Sequence, residues 1–193
     1  KGMEKGMKKR RKILKYLCLM VLITLVPVHL LSGRCQMFEN FYPELVYEKI
    51  NDVDFKVLRE KGIKGLILDI DNTIVPPHTK DADENAIEWI KQVKKEGFKV
   101  CIVSNASKDR VDRFNEKLKI DAIHRANKPA AKSFLKACEI MGTKPGETAV
   151  IGDQIFTDIL GGNNAGMFTI LIKPIDVSKE WFFIKFKRVL EKI

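Results

Sequence analysis

The chain has 193 residues, 45% of them hydrophobic and 31% charged, enough for one domain of ordinary size with a genuine core. That composition excludes a disordered polyelectrolyte, a collagen-like repeat and a multi-helix membrane protein, and no internal repeat or low-complexity tract is present. The net charge of +10 is unevenly spread: residues 1–36 carry +8, residues 178–193 carry +3, and the block between them carries −1. The basicity belongs to the two ends, a distribution suited to contact with an anionic surface, whether lipid or nucleic acid.

In chain order, Lys8-Lys9-Arg10-Arg11-Lys12 precedes an apolar stretch from Tyr16 to Leu31, interrupted only by Thr24, Pro27 and His29. Sixteen helical residues rise about 24 Å, less than the ~30 Å of a bilayer's hydrocarbon core. A signal peptide shares this layout, but no small-x-small cleavage site follows. Two readings stand for residues 1–36: an anchor, or an extension upstream of a start at Met37. Residues 37–64 form an aromatic lead-in, with Phe41, Tyr42 and Tyr47 among its apolar side chains, that can pack on a core or meet a membrane.

From residue 65 to 177 short apolar runs alternate with helical periodicity, the signature of a parallel sheet with helices over both faces. The expected architecture is a Rossmann-like, three-layer α/β sandwich. Strands are expected at Gly65–Asp69, Phe98–Val103, Asp121–His124, Thr148–Gly152 and Phe168–Ile172. Helices are expected at Asp83–Glu96, at Ser107–Leu118, from Pro129 to Gly142 with Lys128 at its start, and at Thr157–Asn164. Gly161-Gly162 and Asn163-Asn164 read as the termination of that last helix. Residues 178–193 set Trp181, Phe182, Phe183 and Phe186 among Lys185, Lys187, Arg188 and Lys192. Such a helix lies in a bilayer interface or packs its apolar side on the sheet.

Cys18, Cys35, Cys101 and Cys138 show no zinc-ligand spacing, and His29, His78 and His124 are scattered. A reducing, cytoplasmic setting is the expectation for the folded block.

The polar residues fall where an α/β sheet binds its ligands. Asp69 and Asp71 follow the first of these strands, Ser104 and Asn105 the second, and Asp153 the fourth, while Lys128 lies in the same set of connections. The carboxyl ends of parallel strands form the binding crevice of open sheets. Asp69, Asp71 and Asp153 together make a hard-oxygen Mg²⁺ site with too few ligands to exclude phosphate oxygens. Lys128, Ser104-Asn105 and backbone N–H groups supply the opposite polarity for a bound phosphate. The chemistry this permits is phosphoryl transfer: Asp69 as nucleophile, and Asp71 as acid for the leaving oxygen and then base for water.

Asp69-Ile70-Asp71-Asn72-Thr73, Ser104-Asn105, Lys128-Pro129 and Gly152-Asp153-Gln154-Ile155-Phe156-Thr157-Asp158 resemble, in order, the four motifs of the haloacid dehalogenase superfamily. Within it the chain looks most like the subclass IIIA phosphatases of the YqeG/phosphatidylglycerophosphatase group. The resemblance implies an aspartyl-phosphate on Asp69 and acid/base work by Asp71. It also implies Mg²⁺ held by Asp69, the Asp71 carbonyl and Asp153, support from Thr73 and Asp158, and phosphate held by Ser104 and Lys128. The implied substrate is a phospholipid monoester, phosphatidylglycerophosphate, met at the cytoplasmic face of a membrane, with nucleic acid not expected as a partner. The 33 residues between Asp71 and Asn105 and the 22 between Asn105 and Lys128 leave no room for a cap domain, so the substrate, a membrane or an oligomer partner has to cover the site. Two rivals predict otherwise: a phosphatase of soluble sugar phosphates or nucleotides, and a non-catalytic phosphate- or nucleic-acid-binding module.

Overall fold

A computed structural model of the chain describes residues 39–178. The expectations for residues 1–36 and for a helix beyond Ser178 lie outside the described residues. Among the described residues no helix is long and apolar enough to cross a membrane.

Six parallel strands form one sheet: β1 (Leu45–Tyr47), β2 (Gly65–Leu68), β3 (Lys99–Val103), β4 (Asp121–Ile123), β5 (Thr148–Gly152) and β6 (Phe168–Ile172). Their order across the sheet is β1-β6-β5-β2-β3-β4. Among the described residues five α-helices accompany them: α1 (Phe55–Glu60), α2 (Glu84–Lys95), α3 (Lys108–Asn115), α4 (Ala131–Met141) and α5 (Leu160–Asn164).

Alternation along the central strands sorts the core into two layers. Leu66, Leu68, Ile102 and Ile151 pack with Leu58 of α1, Trp89, Ile90 and Val93 of α2, and Phe114 of α3. Ile67, Cys101, Val103 and Val150 face the other way, onto Phe134, Ala137, Cys138 and Met141 of α4. Both sheet faces are therefore covered, which explains why these strands read as unbroken apolar runs. The three-layer parallel α/β architecture expected from the sequence is the one observed.

Local chemistry sets the helix limits. Asp83 caps α2 by accepting from the Ala86 N–H at 2.8 Å, and Gly97, at φ 88°, turns the chain into β3. Gly142 does the same after α4 at φ 61°.

Three features depart from the sequence reading. The lead-in contributes β1, which pairs with β6 in the register Leu45↔Ile170, and α1, whose Leu58 is fully buried. Lys128 does not begin a helix: the N-cap of α4 is Ala130, and Lys128 lies in the preceding loop, where the following proline disfavours helical backbone. Gly161 and Gly162 do not terminate a helix but occupy the inside of α5, because a side chain there has no room. A Cβ on Gly161 would lie 2.4 Å from the Phe134 ring, and one on Gly162 would lie 2.6 Å from Thr169.

The strand order places a topological switch at β2. The chain runs outward through β3 and β4, then returns across β2 to β5 on its other side. The crevice at the carboxyl ends of β2, β3 and β5 is where such sheets bind ligands.

Candidate active site

Asp69 is the first residue past β2, and its N–H still donates to Ile151 of β5 at 3.0 Å, so the backbone carrying the carboxylate is held by the sheet ladder. Asp153 stands in the equivalent place after β5. Asp158 comes from the turn that follows. There the chain widens into a π turn over Ile155–Ile159, and the carboxylate folds back over Gly152. A Cβ on Gly152 would lie within 2.3–2.5 Å of the Asp158 side chain, so glycine is what opens the space that carboxylate fills.

Oxygens of Asp69, Asp153 and Asp158 lie within 4.8 Å of one another, and all three residues are buried. Lys128 enters this group from the loop after β4. Its Nζ donates to Asp69 Oδ1 at 2.7 Å and to Asp158 Oδ1 at 2.6 Å, with only 3% of the side chain exposed. Burial alone would depress the ammonium, but Asp158 and Asp69 outweigh it and hold Lys128 firmly protonated. Burial also pushes the Asp158 carboxyl up, to about 6, against the pull of Lys128.

The charge count is informative. By formal charge, three carboxylates and one ammonium leave two negative charges in a buried pocket. Hard oxygen donors with that residual charge fit a divalent cation such as Mg²⁺.

The remaining expected residues surround this centre. Thr73, fully buried, donates from its hydroxyl to Asp153 Oδ1 at 3.3 Å. Ser104, at the end of β3, is 3% exposed and its Oγ accepts from the Ala106 N–H. Asn105 grips the main chain of Lys128: its Oδ1 accepts from the Lys128 N–H at 2.7 Å and its Nδ2 donates to the Lys128 carbonyl at 3.3 Å. Both polar atoms of that amide are thereby committed to fixing Lys128. Residues far apart in sequence, from 69 to 158, thus meet at one rim of the sheet.

Asp71 sits apart from the carboxylate cluster. Its side chain is 37% exposed, and Oδ1 accepts from Arg110 Nη2 at 2.9 Å. The acidic group therefore consists of Asp69, Asp153 and Asp158, where residue types alone grouped Asp71 with the first two. Asp158 follows from the last motif; Arg110 carried no sequence signal beyond being a basic residue on the polar face of a helix. Asn72, at φ 65°, continues the turn after Asp71, and it is tied to the far end of the fold. Ile175 N–H donates to its carbonyl and Asp176 N–H to its side chain.

The sequence profile of the family described as mitochondrial PGP phosphatase matches residues 31–176. The protein named probable phosphatase YqeG, from Bacillus subtilis, is 40% identical over 152 residues, 79% of this chain and 88% of that protein. Phosphatidylglycerophosphate phosphatase 1, chloroplastic/mitochondrial, from Arabidopsis thaliana, is 30% identical over 161 residues, and the chain spans 45% of its length. Among solved structures, the cobalt-bound deoxy-D-mannose-octulosonate 8-phosphate phosphatase of Haemophilus influenzae gives a TM-score of 0.48 at 17% identity, covering 58% of this chain and 69% of that one.

Proposed function

The chain belongs to the mitochondrial PGP phosphatase family of the haloacid dehalogenase superfamily and is a phosphatase, and from that premise we propose that it removes the terminal phosphate of phosphatidylglycerophosphate, giving phosphatidylglycerol. The observation that carries the reading is the buried group of Asp69, Asp153, Asp158 and Lys128 at the carboxyl ends of β2 and β5.

Asp69, Asp153 and the Asp71 carbonyl are the residues that would hold Mg²⁺, with Asp158, whose two oxygens accept from Lys128 and the Gln154 N–H, in support. A bound ion there supplies positive charge to the transferring phosphoryl group. Asp69 attacks phosphorus through a carboxylate oxygen while the ester oxygen departs, which leaves the phosphoryl group on Asp69. Asp71, whose carboxylate stands outside the acidic cluster, gives a proton to the departing oxygen. It then takes a proton from the water that opens the acyl phosphate, so inorganic phosphate leaves and Asp69 is restored. Lys128 and the Ser104 region hold the phosphate oxygens, with Asn105 fixing the Lys128 main chain.

The described residues carry no cap between β2 and β3 or between β3 and β4, only α2 and α3. An open mouth of this kind suits a substrate that a membrane presents. The basic, aromatic residues 178–193 supply attraction to anionic lipid at the cytoplasmic face.

Phosphate release from detergent-dispersed phosphatidylglycerophosphate, with and without Mg²⁺, tests this. Turnover that requires Mg²⁺ and is lost in Asp69→Asn supports it. Turnover of water-soluble monoesters with indifference to the lipid would move the chain to the soluble-substrate reading, and Mg²⁺-dependent turnover undiminished in Asp69→Asn would remove the nucleophile assignment.

A further inference from the structure

Arg110 stands beside the acid that the proposed reaction uses on its leaving group. Its side chain is only 18% exposed. Nη2 donates to Asp71 Oδ1 at 2.9 Å, and Nη1 reaches the Lys80 carbonyl at 3.4 Å in the loop between β2 and α2. The Arg110 Cζ lies over the Phe114 ring, 5.4 Å from the centroid. One turn further along α3, Arg113 holds Asp81 of the same loop, with Nε to Oδ1 at 3.0 Å. The loop after Asp71 is thus pinned to α3, and Arg110 is fixed in the wall of the mouth.

An arginine has five N–H donors, and the contacts on Asp71 and Lys80 use two of them. The Phe114 ring beneath Cζ and the two hydrogen bonds restrict how the guanidinium can move. A pre-oriented, partly desolvated fork of this kind suits a phosphate oxygen better than a mobile surface lysine does.

Position gives it a role. Asp71 marks the side on which the ester oxygen leaves, so whatever the leaving group carries next passes Arg110. We propose that Arg110 is a specificity-determining residue that recognises a second anionic group on the leaving-group side, a phosphodiester one glycerol unit away from the scissile phosphate. This rests on the phosphomonoesterase reading above and assigns to Arg110 the recognition of the second phosphate that such a substrate carries.

The test compares two soluble substrates that share a glycerol leaving end. One is glycerol 3-phosphate, which lacks the second anion. The other is deacylated phosphatidylglycerophosphate, which keeps the phosphodiester and loses the lipid. Wild type should favour the deacylated head group in kcat/KM. Arg110→Gln should slow both through the loss of its bond to Asp71, but the head group by about tenfold more, the value of one charge-assisted hydrogen bond. Arg110→Lys keeps the charge without the fork and should fall between, and it remains informative if the glutamine variant folds poorly. Equal losses on the two substrates would reduce Arg110 to a positioning residue for Asp71 and overturn the proposal, as would a wild type without preference between them. Wild-type failure on both, and on lipid, defeats the phosphatase reading and this proposal with it. Active wild type with an unchanged substrate ratio in both variants defeats this proposal alone.

Discussion

Replacing Lys128 by methionine keeps an unbranched side chain one atom shorter and deletes its charge. Lys128 is the single ammonium within hydrogen-bond reach of Asp69 and Asp158 among the described residues, at 2.7 and 2.6 Å. Its loss leaves three buried carboxylates within 4.8 Å with no cation between them. Removing one partner of a buried ion pair costs about 3–5 kcal/mol, because the remaining charge stays desolvated. For a domain of this size each kcal/mol moves Tm by roughly 2–4 °C, so Lys128→Met should melt roughly 6–20 °C below wild type in chelator. Two further signs follow. Burial already raises Asp158 to about 6, and without Lys128 its neutral form is favoured still more. A carboxyl raised on folding contributes stability below its unfolded value and loses it as pH climbs toward the folded one. The deficit of the variant should therefore be smaller at pH 5 than at pH 8. Mg²⁺ at millimolar concentration should restore part of the lost Tm, since the carboxylates remain. Thermal denaturation by circular dichroism at the two pH values, with chelator and with Mg²⁺, reads all of this. A variant as stable as wild type in chelator at pH 8 would refute the reasoning, for it would show that these carboxylates do not share one buried, charged pocket with Lys128.

Gly152→Ala should lose Mg²⁺-dependent turnover and about 1–3 kcal/mol of stability, because its methyl group would stand 2.3 Å from the Asp158 carboxyl carbon; chemical denaturation and phosphate release check both. Asn105→Ala frees the Lys128 main chain of two hydrogen bonds, and about 1–2 kcal/mol should disappear in urea titration, with kcat falling more than KM rises. The Cys101 thiol is pushed up to about 12 by burial, then by Asp121 and Cys138, so site-resolved mass spectrometry should find it unmodified by iodoacetamide at pH 8 in native protein and alkylated once the chain is unfolded. Since the folded value exceeds the unfolded one, Cys101 should also favour unfolding as pH rises above 9, and Cys101→Val should flatten that part of the stability curve.

How far the sequence could be read depended on whether a residue's role was local. Strands β2, β3, β5 and β6 announce themselves as apolar runs because they are buried on both faces, and Asp69, Ser104 and Asp153 follow because polar groups have to stand where such strands end. β1 gives no comparable signal: it is three residues long, lies at the sheet edge, and alternates half-buried and exposed positions within an aromatic stretch. Its identity is set by pairing with β6, over a hundred residues later. The paired glycines of α5 read locally as poor helix formers, whereas Phe134 and Thr169 decide their role from across the fold. Arg110 was hidden for the same reason, since only the folded chain brings α3 against Asp71. Asp158 was legible as a motif position, but its membership of the carboxylate group depends on the widened turn that no local pattern announces.

The tie between Asn72 and the stretch Ile175–Asp176 bears on handling the protein. At its other end the described fold is fastened through Asn40 to Asn164, and Glu44 to Thr169, beside the starting end of β6. Ile175 and Asp176 thus stand next to the catalytic opening, and Asn40 and Glu44 stand toward the opposite rim. A fluorophore on a Val177→Cys variant would crowd incoming substrate, while one on a Tyr42→Cys variant would leave the doorway clear.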